Sequence, residues 1–359
     1  MRILRRLVAW TGLLLIVWVG RAQGPATQSA PAEPANGIYP GERHFRSLRQ
    51  ITFGGENAEA YWSFEGDRII FQSTRDGYSC DRIYTLELKP GAVPQTVSTG
   101  KGKTTCGYFY PAGRQILYAS THLASSDCPP RPDYSKGYVW ALDPGFDIFQ
   151  AGADGSDPVR LTDTPGYDAE ATIAPDGRSI VFTSVREGDL EIYVMGPNGE
   201  IPRRLTHAPG YDGGAFFSPD SKRIVWRADR PADGTQREDY FHLLLEQHQI
   251  RPGKLELYVM DADGSGQRQV THLGGANFAP YFHPDGKRII FASNHLDPQS
   301  RNFDLFLVSD DGSGLERLTT YSGFDGFPMF DAIGKRLLFA SNRLGKQRGE
   351  TNIFLAEFE

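Results

Sequence analysis

Pro219-Asp220-Ser221-Lys222-Arg223-Ile224-Val225-Trp226 sets a tight turn directly ahead of two aliphatic residues and one aromatic. The same arrangement stands at Pro175-Asp176-Gly177 before Ile180-Val181-Phe182, and at Pro284-Asp285-Gly286 before Ile289-Ile290-Phe291. Three further triplets, Ile69-Ile70-Phe71, Ile116-Leu117-Tyr118 and Leu337-Leu338-Phe339, bring the number to six, with starts 47, 64, 44, 65 and 48 residues apart. Such residues suit a strand covered on both faces.

Two more columns run in step with the triplets. Ile83-Tyr84, Ile148-Phe149, Ile192-Tyr193, Leu257-Tyr258, Leu305-Phe306 and Ile353-Phe354 form one. Ile51-Thr52, Val97-Ser98, Leu161-Thr162, Leu205-Thr206, Val270-Thr271 and Leu318-Thr319 form the other. Asp263-Gly264 and Asp311-Gly312 mark turns between them. Each repeat therefore holds four short strands, A to D. A precedes the Pro-Asp turn, B is the triplet, and C and D are the second and third columns. Four strands in roughly 44 residues is the period of a propeller blade. The fold expected is all-β, with six blades around one axis.

The order of columns predicts how the ring closes. The chain enters on a D strand, Arg49-Gln50-Ile51-Thr52, with no C strand before it. Its last element is a C strand at residues 352–358. The first strand then completes the last blade, which removes a free edge. The propeller is expected over 48–359.

Gly210-Tyr211-Asp212, Phe217-Ser218-Pro219-Asp220, Glu256-Leu257-Tyr258-Val259-Met260-Asp261-Ala262-Asp263-Gly264 and Arg204-Leu205-Thr206 resemble the WD-like repeats of the TolB propeller family. The resemblance recurs in every blade. It implies a six-bladed propeller and protein–protein work at a bacterial envelope. Residues 23–47 are too few for the additional N-terminal α/β domain of TolB, so this chain is read as lacking it. The same repeats occur in prolyl-oligopeptidase-type peptidases, but no Gly-x-Ser-x-Gly elbow is present here. Some similar propellers are polysaccharide lyases with metal-binding histidines.

The first residues read as an export signal. Arg2, Arg5 and Arg6 precede an apolar run from Leu7 to Gly20, and Gly20-Arg21-Ala22 offers a cleavage site. A signal peptide over 1–22 and a flexible Ala- and Pro-rich linker over 23–47 follow. Removing the four arginines at 2, 5, 6 and 21 from 38 basic residues leaves 34 against 44 acidic, a net charge of −10. That charge argues against nucleic acid or anionic lipid as partner. The expected location is periplasmic or secreted, as a monomer without stable membrane insertion and without a cofactor.

Two repeats are longer between B and C: blade 2 over about 122–145, and blade 4 over about 231–253. Residues 237–249 place Tyr240, Phe241, Leu244, Leu245 and His248 at helical spacing, so a short amphipathic helix is expected in blade 4. It is read either as a lid or as a partner-docking element. Both insertions decorate one face, and that face is the expected binding face for a protein, a peptide or an envelope polymer.

Two columns meet there. Ahead of strand A stand Asn57, Thr104, Asp168, Asp212, Asn277 and Asp325; just past strand B stand Arg75, His122, Arg186, Arg230, His295 and Arg343. They either pair within the scaffold or form a charged mouth, in which Asn57, Glu59, Arg75, Asp168, Glu170, Arg186, Asp212, Arg230, Asp325 and Arg343 bind a ligand. Glu59 and Glu170 break the pattern of Cys106, Gly214, Ala279 and Phe327 at their position, and can face the channel. With His122 and His295 they are the candidate acid/base set of an alternative reading, a polysaccharide lyase or hydrolase. No dedicated metal site is expected, because these four residues come from four blades. Of the three cysteines, Cys80 and Cys128 fall in B–C loops of neighbouring blades and are the favoured disulfide.

Overall fold

The computed structural model describes residues 34–359. The expected signal peptide and the linker up to residue 33 lie outside them. Six four-stranded antiparallel sheets follow one another along the chain. In blade 3 the strands are Asp168–Ile173, Ile180–Ser184, Glu191–Met195 and Arg203–Arg204, from the axis outward.

The three sequence columns have separate physical tasks. The triplets are almost wholly without solvent contact; Ile69, Ile116, Ile180, Ile224, Ile289 and Leu337 are all 0% exposed. The aromatic of each triplet lies directly opposite the aromatic of strand C, as in Phe71–Tyr84 and Tyr118–Phe149. The paired rings sit 5.5–5.9 Å apart in every blade. Pairs of this kind contribute about 0.5–1.5 kcal/mol each beyond their buried area.

The hydroxyl column completes an outer strand that is otherwise very short. Thr52, Thr162, Thr206, Thr271 and Thr319 each accept a hydrogen bond from the amide of the strand C aliphatic residue, at 2.8–3.0 Å, and Ser98 does so at 3.1 Å. A side-chain oxygen thus extends the ladder beyond two residues of D-strand pairing.

Closure follows the split repeat. Phe45–Gln50 pairs antiparallel with Asn352–Phe358, Leu48 opposite Ala356 and Gln50 opposite Phe354. The seam continues to blade 1, where the Thr351 hydroxyl donates to the Asn57 carbonyl at 2.8 Å and Trp62 Nε1 donates to the Met329 carbonyl at 3.1 Å. The last part of the expected linker is packed onto the propeller. Glu42 is buried against Arg343, whose Nη2 also reaches Asp325 at 2.6 Å, and all three side chains are 0% exposed. Glu42 accepts further bonds from the Tyr39 and Thr320 amides. The residues from Gly37 to Ser47 are therefore packed rather than free, held by an ion triad that composition alone does not reveal.

Replacing Arg343 by Met leaves Glu42 and Asp325 facing each other without a cation. Chemical denaturation should show a loss of about 3–5 kcal/mol. The same change at the exposed Arg46 should leave the unfolding midpoint almost unchanged.

Candidate ligand-binding face

The acidic and basic columns face one another inside the blades. Arg186 Nη2 contacts both Asp168 oxygens at 3.1 and 3.2 Å, and Arg230 Nη2 meets Asp212 at 2.6 Å. Each basic group is also held over a ring, Arg186 over Tyr193 at 4.8 Å and Arg230 over Tyr258 at 5.2 Å. Asp168, Asp212 and Asp325 are at most 1% exposed. These pairs work as latches that pin the loop after strand B to the start of strand A. They do not line an open mouth.

His122 and His295 occupy the same latch position. The first bonds Ser120 Oγ at 2.8 Å and lies on Phe149; the second bonds Ser293 Oγ at 2.9 Å and lies on Phe306. Burial lowers the pKa of both. The structure thus separates them from Glu59 and Glu170. No group of three His, Cys, Asp or Glu side chains among the described residues is placed to hold a metal ion.

The two glutamates do meet, at the axis. All six innermost strands shift register at the same place. The residue at the shift is left-handed in each: Glu59, Cys106, Glu170, Gly214, Ala279 and Phe327, with φ of 51–59°. Five of these are not glycine, and each such conformation carries a cost of the order of 1 kcal/mol. All six residues line a common cavity in the channel.

Glu170 is heavily bonded. It accepts from Thr183 Oγ1 at 2.8 Å, from the Gly214 amide at 3.0 Å and from Tyr211 Oη at 3.2 Å, and it pairs with Arg227. Arg227 also donates Nε–H to Tyr211 Oη at 3.1 Å and lies under Trp140 at 4.9 Å. A Cβ at Gly214 would sit 2.3 Å from Arg227 Nη1, so a side chain there would force the guanidinium to shift. Arg227 escaped the sequence reading, yet a signal existed. The residues after the six triplets are Gln72, Ala119, Thr183, Arg227, Ala292 and Ala340, and one alone is charged.

Glu59 has a poorer environment. Burial, with the Glu170 charge adding to it, pushes its pKa up to about 7, against the opposing hydrogen bond from Cys106 and the charge of Arg227. Below the ring, Tyr61, Tyr108, Phe216 and Tyr281 meet edge to face and plug the channel. The space open to water centres is about 20 Å³, room for one or two waters.

The insertions build the outer surface. Trp140–Ala141 of the blade 2 insertion pairs antiparallel with Gln249–Ile250 of the blade 4 insertion, so the two segments join. Helix α1, Thr235–Gln247, lies against blade 3 and its Tyr240 Oη donates to Asp189 at 2.6 Å. Its buried side chains are Tyr240, Leu243 and Leu244, while Leu245 is 51% exposed. The apolar face is thus rotated from the expected one, because 240, 243 and 244 share one side at 3.6 residues per turn. A disulfide links Cys80 to Cys128, tying the blade 2 insertion to the B–C loop of blade 1. Cys106 stays free at the channel. Phe53, Tyr78, Tyr134 and Tyr138 are the exposed aromatics among the described residues, and all four lie in D–A or B–C loops, on the insertion face. Tyr134 and Tyr138 stack at 5.8 Å.

No family model and no curated protein sequence matches the chain. Solved structures share its fold. A structure titled putative TolB from Agrobacterium tumefaciens superposes with a TM-score of 0.56 at 18% identity, over 85% of this chain and 91% of that one. TolB from Acinetobacter baumannii gives 0.54 at 19% identity, over 75% of this chain and 55% of the other, so this chain matches about half of that protein. An oligogalacturonate lyase from Vibrio parahaemolyticus gives 0.54 at 11% identity, over 85% and 79%. The fold is thus the TolB-type six-bladed propeller, shared by proteins with different work.

The Glu59 carboxyl titrates near 7 when folded, against an ordinary value of 4.5. Between those values the folded chain holds a proton that the unfolded chain has lost, so stability falls as pH rises through the window. Denaturation between pH 5 and 8 should show Glu59→Gln flattening this decline, by at most about 3 kcal/mol.

Proposed function

We propose that this is an exported binding protein that recognises a protein or peptide on its insertion face. The observation that carries the reading is the placement of exposed aromatics. Phe53, Tyr78, Tyr134 and Tyr138 all lie on that face, in the D–A loop leading into blade 1 and in the B–C loops of blades 1 and 2. Large rings supply most of the energy at protein interfaces with little loss of rotamer freedom. The Cys80–Cys128 disulfide fixes the blade 2 loop that carries two of them, and such bonds persist in oxidising compartments. The signal-like first residues support the same compartment.

A catalytic reading finds less support. Glu59 and Glu170 share a cavity with room for a water or two, and Glu170 is already neutralised by Arg227. His122 and His295 are engaged in their own latches.

A photo-crosslinking residue placed at Tyr138 or Tyr78 should give discrete adducts from an envelope extract, whereas one at Ile201 or Ile333 on the opposite face should give none. Adducts from the opposite face alone, or none from either, would contradict the proposal.

A further inference from the structure

The latch of blade 1 is incomplete, and its gaps match one ligand chemistry. In blades 3, 4 and 6 an arginine meets an aspartate: Arg186 with Asp168, Arg230 with Asp212, and Arg343 with Asp325. Blade 5 pairs neutral groups, since Ser293 Oγ donates to Asn277 Oδ1 and contacts His295. Blade 1 alone sets an arginine, Arg75, against an asparagine, Asn57.

This latch has four unpaired polar atoms, where the Arg–Asp latches of blades 4 and 6 leave one carboxylate oxygen each, on Asp212 and Asp325. Asn57 Oδ1, Ser73 Oγ, and Nε and Nη1 of Arg75 are all buried without a hydrogen-bond partner. The Asn57 amide cannot turn to help, because its Nδ2 donates to the Gly54 and Thr351 carbonyls at 2.9 and 2.7 Å. Arg75 has one loose ion pair, 3.5 Å from Nε to Asp76, whose carboxylate also accepts from Tyr84 Oη. The Arg75 side chain is 17% exposed, so one edge reaches solvent. Unpaired buried donors of a charged group cost more than any other hydrogen-bonding defect.

We infer that Arg75 is an anchor for a carboxylate brought by the partner, which meets the solvent-exposed edge of the guanidinium and supplies the negative charge that Asp168, Asp212 and Asp325 supply in their own blades. A charge-assisted hydrogen bond of this kind is stronger than a neutral one. The surroundings select the rest of the ligand. Phe53 lies two residues before Gly55, which sits against Arg75, and Tyr78 closes the same loop by donating its amide to the Arg75 carbonyl at 3.0 Å. The Arg82 guanidinium lies against the Tyr78 ring at 4.6 Å, and exposed rings beside these cations fit a peptide carboxylate next to an apolar side chain. This inference rests on the binding-face reading and names the chemistry recognised there.

The test is saturation-transfer NMR on the mature chain with N-acetylphenylalanine, its carboxamide and trigalacturonate as probes. The acid should bind about tenfold or more tightly than the amide. Arg75→Gln should remove that preference. Asn57→Asp should remove it too while keeping the arginine, because it supplies the carboxylate from within the blade. Circular dichroism and thermal unfolding report whether both variants fold. Equal binding of acid and amide, or a preference that survives Arg75→Gln, overturns the inference. Trigalacturonate binding in place of the peptide acid overturns it as well. Loss of crosslinked partner on Tyr138→Ala with none on Arg75→Gln would sink the anchor while leaving the binding face standing.

Discussion

The pairing of Phe45–Gln50 with Asn352–Phe358 is the constraint on which the molecule depends. A blade is a twisted sheet with two apolar faces, and neither can be covered without a neighbour on each side. An open arc of six would leave the two end faces wet. The returning strand supplies the missing edge of the last blade and places the chain start beside its end. The buried Glu42–Arg343–Asp325 triad holds the segment just ahead of that strand. Everything at the axis follows from closure, because the six left-handed residues face a common channel only when the ring is shut.

Most of the architecture could be read from the residues because each column has a repeated physical task. The aromatic of the triplet needs the aromatic of strand C, and the amide of strand C needs the hydroxyl of strand D. Six repetitions of such requirements leave little freedom. What escaped was non-local or unrepeated. Arg227 enters the Glu170 pocket from another blade, through space beside Gly214 that a side chain at 214 would contest. Trp140–Ala141 and Gln249–Ile250 pair across the face, but two-residue strands carry no periodicity to find. Nothing in the residue types at 59, 106, 170, 279 and 327 announces a left-handed backbone, since that conformation is imposed by the register shift.

The charged columns show how a sequence pattern can be found correctly and its purpose remain open. Opposite charges recurring on one face suggest a mouth for a ligand. Their geometry makes them latches, each spending its charge on its own blade. That economy gives meaning to the departures. At Arg186 the charge is paired with Asp168, whereas at Asn57, Ser73 and Arg75 four polar atoms lack partners, against one carboxylate oxygen each at Asp212 and Asp325. The break falls in the sector that also bears Phe53 and Tyr78, beside the disulfide-anchored loop with Tyr134 and Tyr138. On the proposed reading, scaffold and recognition are divided within one repeat family by small substitutions at equivalent positions.

The claim that this face is where the protein meets its partner is tested most directly by hydrogen exchange on the chain, free and bound to whatever protein it retains from a bacterial envelope extract. The account predicts slowed exchange in residues 53–55, 75–80 and 122–138, with the A–B and C–D turns of the opposite face unchanged. Protection confined to those opposite turns would contradict it.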